Sequence, residues 1–172
     1  ALSEASADAV AEHADLIQVG SRNMHSSALL KRVGETGRPV LLKRGLAATV
    51  EEWLSAGEYC LAAGASGVVF CERGIRGFDD ATRNVLDLAS VALLAHVHGL
   101  PVIVDPSHAL GRRDLIPHLS RAAIAAGACG LIVEVHDAPE RALSDAPQAI
   151  SSHMLAELRE SLGPQGTLEF PR

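Results

Sequence analysis

Five short apolar runs punctuate the chain, at residues 16–19, 40–42, 68–71, 102–104 and 131–135. Each is rich in Val, Ile and Leu and continuous rather than alternating, as expected of strands buried on both faces of a parallel sheet. Between them the apolar positions recur at helical spacing. Thr49 and Glu52 make a capping box ahead of Trp53, Leu54, Tyr59 and Leu61, and Gly64 stops that helix. The stretches 79–98 and 114–126 repeat the pattern and end at Gly99 and Gly127. Residues 1–15 read as a helix feeding the first strand, and 147–162 as a closing helix. No charged run or low-complexity linker interrupts the alternation, which predicts one parallel α/β domain over residues 1–162 and a frayed tail over 163–172.

Two architectures accommodate five β/α units: an open doubly wound sheet, or an arc of a (β/α)8 TIM barrel. The strand ends separate them. Every run leads directly into polar residues: Ser21-Arg22-Asn23, Lys43-Arg44, Glu72-Arg73, Asp105-Pro106-Ser107-His108, and Glu134 with His136. An open sheet needs chemistry only at its switch point, whereas a barrel aims all its strand ends at one mouth. The barrel is therefore expected. A complete barrel takes roughly 250 residues and eight strands, so three units are expected upstream. Without them, an apolar inner face and two strand edges face water.

Composition narrows the class. Aromatic residues make up only 3% of the 172, so small side chains, mostly Ala, must pack the helices against the sheet. The net charge of −6 argues against a general nucleic-acid or membrane-surface binder. The apolar runs are too short to span a bilayer, and no secretory or transit segment opens the chain. A cytoplasmic protein is expected, with Cys60, Cys71 and Cys129, which form no CxxC pair, as free thiols.

Two groups of residues carry candidate chemistry. Arg22, Lys43 and Arg73 end three successive strands. Cations converging on one mouth repel each other unless an anion sits among them, and Arg forks suit phosphate and carboxylate. The competing interpretation is separate salt bridges to Glu72, Asp105 or Glu134. The second group is His108, Glu134 and Asp145, an imidazole and two carboxylates suited to Mn²⁺, Fe²⁺ or Zn²⁺, although their spacing follows no short metal motif. His13, His25, His96, His98, His118 and His153 read as solvated, and His136 as a neighbour of the site. Glu51 and Glu52 read as favourable charges at a helix N-terminus. GxGxxG, GxxxxGK[ST] and GxSxG elements are absent.

The strings LIQVGSRNM, GRPVLLKRGLAATVEEWL, VVFCERGIRGFDDATRNVLDL, LPVIVDPSHALGRRDL and RAAIAAGACGLIVEVHDAPERALSDAPQAI resemble the 3-deoxy-D-arabino-heptulosonate 7-phosphate (DAHP) synthases, in particular the type Iβ branch. The resemblance covers residues 15 to about 150. The sister 3-deoxy-octulosonate 8-phosphate (KDO8P) synthases share an ERG-type strand end. They favour a KKGQF-like segment where this chain has Lys43-Arg44-Gly45-Leu46, and Asp-Ala-Thr-His in place of Asp105-Pro106-Ser107-His108.

The resemblance implies condensation of phosphoenolpyruvate with erythrose 4-phosphate, the first step of the shikimate pathway, by a homo-oligomer (dimer or tetramer). It implies that Arg22, Lys43 and Arg73 hold phosphoenolpyruvate. His108, Glu134 and Asp145 would be three of four ligands to a divalent metal (Mn²⁺, Fe²⁺ or Zn²⁺), with Asp105 beside the metal and the sugar hydroxyls. Lys43 and His108 are the implied catalytic residues, Lys43 moving a proton near C2 or C3. The family's fourth ligand, a first-strand Cys, and its Lys-Pro-Arg-Thr-Ser segment have no counterpart here, and Cys71 matches a non-ligand position. The alternatives are a non-catalytic barrel that binds phosphoenolpyruvate or acts as an interaction subunit, and a KDO8P-synthase-like enzyme using arabinose 5-phosphate.

Overall fold

A computed structural model describes residues 1–163. The chain runs α1 (Glu4–His13), β1 (Ile17–Val19), α2 (Ser27–Glu35), β2 (Val40–Lys43), α3 (Val50–Ala62), β3 (Val68–Glu72), α4 (Leu88–Ala92), β4 (Val102–Val104), α5 (Pro106–Leu110), α6 (Ile116–Ala125), β5 (Gly130–Leu131) and α7 (Ser152–Leu162). All strand pairs are parallel and the sheet order is β1-β2-β3-β4-β5. Every new strand is added on the same side of the last. Right-handed crossovers then place all the helices on one face. An open doubly wound sheet would reverse its order somewhere. This is an arc of a (β/α)8 barrel.

Alternation along the strands sorts the two faces. Ile17, Val19, Val40, Leu42, Phe70, Val102 and Val104 point to the helices and join Leu29, Leu30, Val33, Trp53, Val91 and Leu94 in the main core. Gly57 lets α3 approach β3, because a Cβ there would lie 2.5 Å from Cζ of Phe70. Trp53, fully buried, donates from its indole N–H to the Leu42 carbonyl and meets Phe70 edge-on. Gln18, Lys43, Cys71 and Ile103 take the other parity, and Gln18 and Lys43 line the barrel interior. Among the described residues β1 and β5 each pair on one side only.

Helix α3 begins at the expected capping box, with Thr49 and Glu52 bonded reciprocally. Three expectations need correction. The stretch 79–98 is not one helix: Ile75 and Val85 pair as an antiparallel bridge, folding the chain between them into a loop. Asp87 then caps α4 by accepting from the Ser90 N–H, and a π-helical turn (Leu93–Val97) follows. The fifth strand stops at Leu131, not 135, because three-residue β4 offers no further ladder partner. Residues 147–151 are not helical: Ile150 bonds to Glu134 and His136 in a parallel bridge, and Ser151 caps α7. The expected tail, Gly163 apart, lies outside the described residues.

Candidate functional site

The C-terminal strand ends do not all aim at one mouth. Lys43, Arg73 and Asp105 share the inward parity, while Arg44 and Glu72 carry the opposite one and lie between sheet and helices. The inward set opens on a cavity of about 530 Å³ whose lining includes Arg22, Lys43, Arg73, Arg83, His108 and Asp145. An adjoining cavity of about 400 Å³ shares Lys43 and His108 and adds Asp105 and Glu134.

Asp105 organises this interior. It is 1% exposed and caps α5, its Oδ1 accepting the His108 backbone N–H at 3.0 Å. Its Oδ2 lies 2.6 Å from Nζ of Lys43 and 2.8 Å from Nδ1 of His108. Burial by itself would push this carboxyl up, but the hydrogen bond from His108 and the charge of Lys43 hold it below the usual carboxylate range. A carboxylate can only accept here, so Nδ1 carries a proton and Nε2 is the ring atom left for a metal. That Nε2 is 3.8 Å from Oε2 of Glu134.

One ligand atom each from His108, Glu134 and Asp145 lies within 4.8 Å of the others. Asp145 reaches the group from a left-handed backbone conformation (φ 56°), the only positive φ outside glycine among the described residues. A nitrogen and two carboxylate oxygens converging at this separation fit a divalent cation. Cys71 is fully buried, its thiol donating to the Glu72 carbonyl, and stands outside the group.

The cations divide into paired and unpaired. Lys43 is matched by Asp105, Arg44 by Glu72 and Asp87, and Arg83 by Asp145 at 3.5 Å. Among the described residues neither Arg22 nor Arg73 makes a salt bridge or a guanidinium hydrogen bond. Arg73 is only 7% exposed, and burial pulls its pKa down. The salt-bridge interpretation therefore holds for Lys43 and Asp105 but not for the two arginines.

The other histidines are exposed as expected. His136 accepts from the Ala138 N–H within its own loop and lines neither cavity. Two residues of the mouth escaped the sequence reading. Arg83 lines the cavity, and Asn84 donates to the His108 carbonyl. Both fall in the stretch mistaken for helix. Asp87 three residues before Ser90, an N-cap spacing, marks where that helix starts and would have freed Arg83 as a loop residue after a strand's C-terminal end.

A family model described as the DAHP synthetase I family matches residues 1–167. The chain is 49% identical over 162 residues to a phospho-2-dehydro-3-deoxyheptonate aldolase of Thermotoga maritima, covering 94% of this chain and 48% of that protein. It is 32% identical to a 2-dehydro-3-deoxyphosphooctonate aldolase of Xylella fastidiosa, covering 90% of this chain and 59% of the relative. The crystal structure of the Thermotoga maritima DAHP synthase superposes with a TM-score of 0.90 at 48% identity, over 94% of this chain and 48% of that one. A truncated form of the same enzyme superposes at 0.89 and 49% identity, over 94% and 62%. The chain thus spans about half the length of the relatives it matches.

Proposed function

Because the chain belongs to the DAHP synthetase I family, we propose that it carries the phosphoenolpyruvate- and metal-binding part of a 3-deoxy-7-phosphoheptulonate synthase. The observation behind this reading is the pair of guanidiniums unmatched among the described residues, Arg22 and Arg73, opening on a cavity that His108 and Asp145 also line, with Glu134 in the adjoining one. Arg73 is a buried cation and calls for an anionic ligand, and the exposed Arg22 faces the same cavity. Phosphoenolpyruvate brings a phosphate and a carboxylate, one for each fork.

In the proposed reaction C3 of phosphoenolpyruvate bonds to the aldehyde carbon of erythrose 4-phosphate, water adds at C2, and the resulting tetrahedral carbon expels inorganic phosphate. Arg22 and Arg73 hold the anion. Lys43, fixed by Asp105, is placed to move a proton at C2 or C3. Asp105 keeps the imidazole of His108 turned with Nε2 toward Glu134. A divalent metal (Mn²⁺, Fe²⁺ or Zn²⁺) held by His108, Glu134 and Asp145 would supply Lewis-acid polarisation of the aldehyde. The carboxylate pairing of Lys43 orients it and leaves the free positive charge at the arginines. Homo-oligomerisation and a cytoplasmic location belong to the same proposal. No helix among the described residues is long and apolar enough to cross a membrane.

The test is phosphate release by the complete protein from phosphoenolpyruvate with erythrose 4-phosphate, run beside arabinose 5-phosphate. Turnover is expected with the four-carbon sugar, and Lys43→Ala should lower kcat by about a hundredfold or more. Preference for arabinose 5-phosphate would favour the octulosonate activity. Tight phosphoenolpyruvate binding without turnover would favour a non-catalytic barrel.

A further inference from the structure

Glu72 is a carboxylate with no exposed surface, and the proposed reaction does not use it. It sits behind the mouth, in the dry layer between the sheet and the helices. Both of its oxygens are taken. Oε2 accepts from Nη1 of Arg44 at 2.9 Å, and Oε1 accepts the backbone N–H of Gly74 at 2.6 Å. The second bond closes the Glu72-Arg73-Gly74 turn two residues from its origin. Gly74 is suited to that turn: its φ is +92°, and a Cβ there would lie 2.7 Å from Cβ of Asn84. Among the described residues the guanidinium of Arg73, the middle residue, makes no salt bridge or hydrogen bond, so the turn sets the point from which it enters the cavity.

Arg44 anchors Glu72 in turn. It is 4% exposed, and its Nε donates to the Ala48 carbonyl. Nη1 also reaches Asp87 at 2.8 Å and Ser90 at 3.1 Å, and the guanidinium lies 5.6 Å from the Trp53 ring. One side chain therefore ties the loop after β2, the end of β3, the cap of α4 and the core of α3 to the carboxylate that shapes the anion turn.

We propose that Glu72, clamped by Arg44, is a positioning residue that sets the direction of Arg73 and thereby the affinity of the mouth for a phosphate-bearing anion. The inference rests on the anion-site reading above. Its mechanism is the length of the Glu72 side chain: the acceptor oxygen must reach the Gly74 N–H. Charge and length are separable. Glu72→Asp keeps the charge and withdraws the oxygen, whereas Glu72→Gln keeps the length and one acceptor oxygen for the Gly74 N–H but loses the charge and the acceptor facing Arg44.

The experiment titrates inorganic phosphate into the complete protein by calorimetry and measures KM for phosphoenolpyruvate and kcat in parallel. Glu72→Asp should weaken phosphate binding by about tenfold to a hundredfold, the scale of a misplacement near 1 Å. Its KM should rise by more than its kcat falls, and Glu72→Gln should bind phosphate better than Glu72→Asp. Wild-type affinity in Glu72→Asp, or weaker binding in Glu72→Gln than in Glu72→Asp, would overturn the inference. Should Glu72→Asp fail to fold, Arg44→Lys replaces it, removing the guanidinium nitrogen that holds Oε2 while keeping both charges. The same weakening is then expected, and unchanged phosphate affinity refutes the inference. Phosphate binding without turnover in the wild type would remove the synthase reading and leave this one standing.

Discussion

Arg73→Met should separate binding from stability in opposite directions. Methionine keeps about the length of the arginine stem without the guanidinium, so the perturbation removes the cation of a residue that is 7% exposed. A guanidinium fork on phosphate or carboxylate makes two charge-assisted hydrogen bonds of about 1.5–3 kcal/mol each. Losing both amounts to about 3–6 kcal/mol, or about a hundredfold to ten-thousandfold in Kd. The same substitution breaks no salt bridge or hydrogen bond of this guanidinium among the described residues, and gives up its longer-range attraction to Asp105. It also relieves the cost of burying an unmatched cation. The melting temperature of the ligand-free protein should therefore rise, by about 2–4 °C for each kcal/mol relieved. Calorimetric titration with phosphate and with phosphoenolpyruvate measures the first effect, and thermal unfolding in phosphate-free buffer the second. Phosphate affinity within about threefold of wild type, the range of a substitution that touches nothing, would mean that the anion does not sit at Arg73. A fall in melting temperature would mean that Arg73 has a structural partner.

Asp145→Asn should weaken Mn²⁺ binding by about tenfold or more, read by competition with a chelating dye, because a neutral amide replaces one of three converging ligands; equal affinity would remove Asp145 from the centre. Asp87 opposes its own burial through bonds from Ser90 and the charge of Arg44, which hold its pKa below the ordinary 3.8. Its ionised form thus stabilises the fold above pH 3.8, and that contribution disappears as pH falls through the lower folded value. Asp87→Asn should be less stable than wild type in urea at pH 7, with the gap narrowing below pH 3.8; a constant gap would refute the coupling. Burial pushes the Cys60 thiol up to about 11 and raises that of Cys71 as well. At pH 8 about one Cys60 in a thousand is thiolate, so neither should react with a thiol reagent until the protein is unfolded in denaturant; rapid labelling of either in the native state would contradict their burial.

The sequence alone determined the alternation of strands and helices and which residue types end the strands, because these depend on local rules. Runs of Val, Ile and Leu make strands, Thr49 with Glu52 starts a helix, and Gly64, Gly99 and Gly127 end helices whatever surrounds them. It also placed Arg22, Lys43, Arg73, His108 and Glu134 at one end of the fold, since parallel strands all finish at the same end, whereas strand ends say nothing of Asp145. The extent of the 79–98 segment was not legible, because the Ile75–Val85 bridge that folds its first part is a contact between residues ten apart. Nor could adjacency tell the two members of Lys43-Arg44 and Glu72-Arg73 apart. One step along a strand turns a side chain to the opposite face, and only the packed helices establish which face is the cavity. Tertiary structure thus sends Lys43 and Arg73 to the mouth, and Arg44 and Glu72 to the support behind it. It also decides which cations are free: Lys43 and Asp105 lie sixty-two residues apart yet bond at 2.6 Å, whereas Arg73, one residue from Glu72, points away from it and stays unmatched among the described residues.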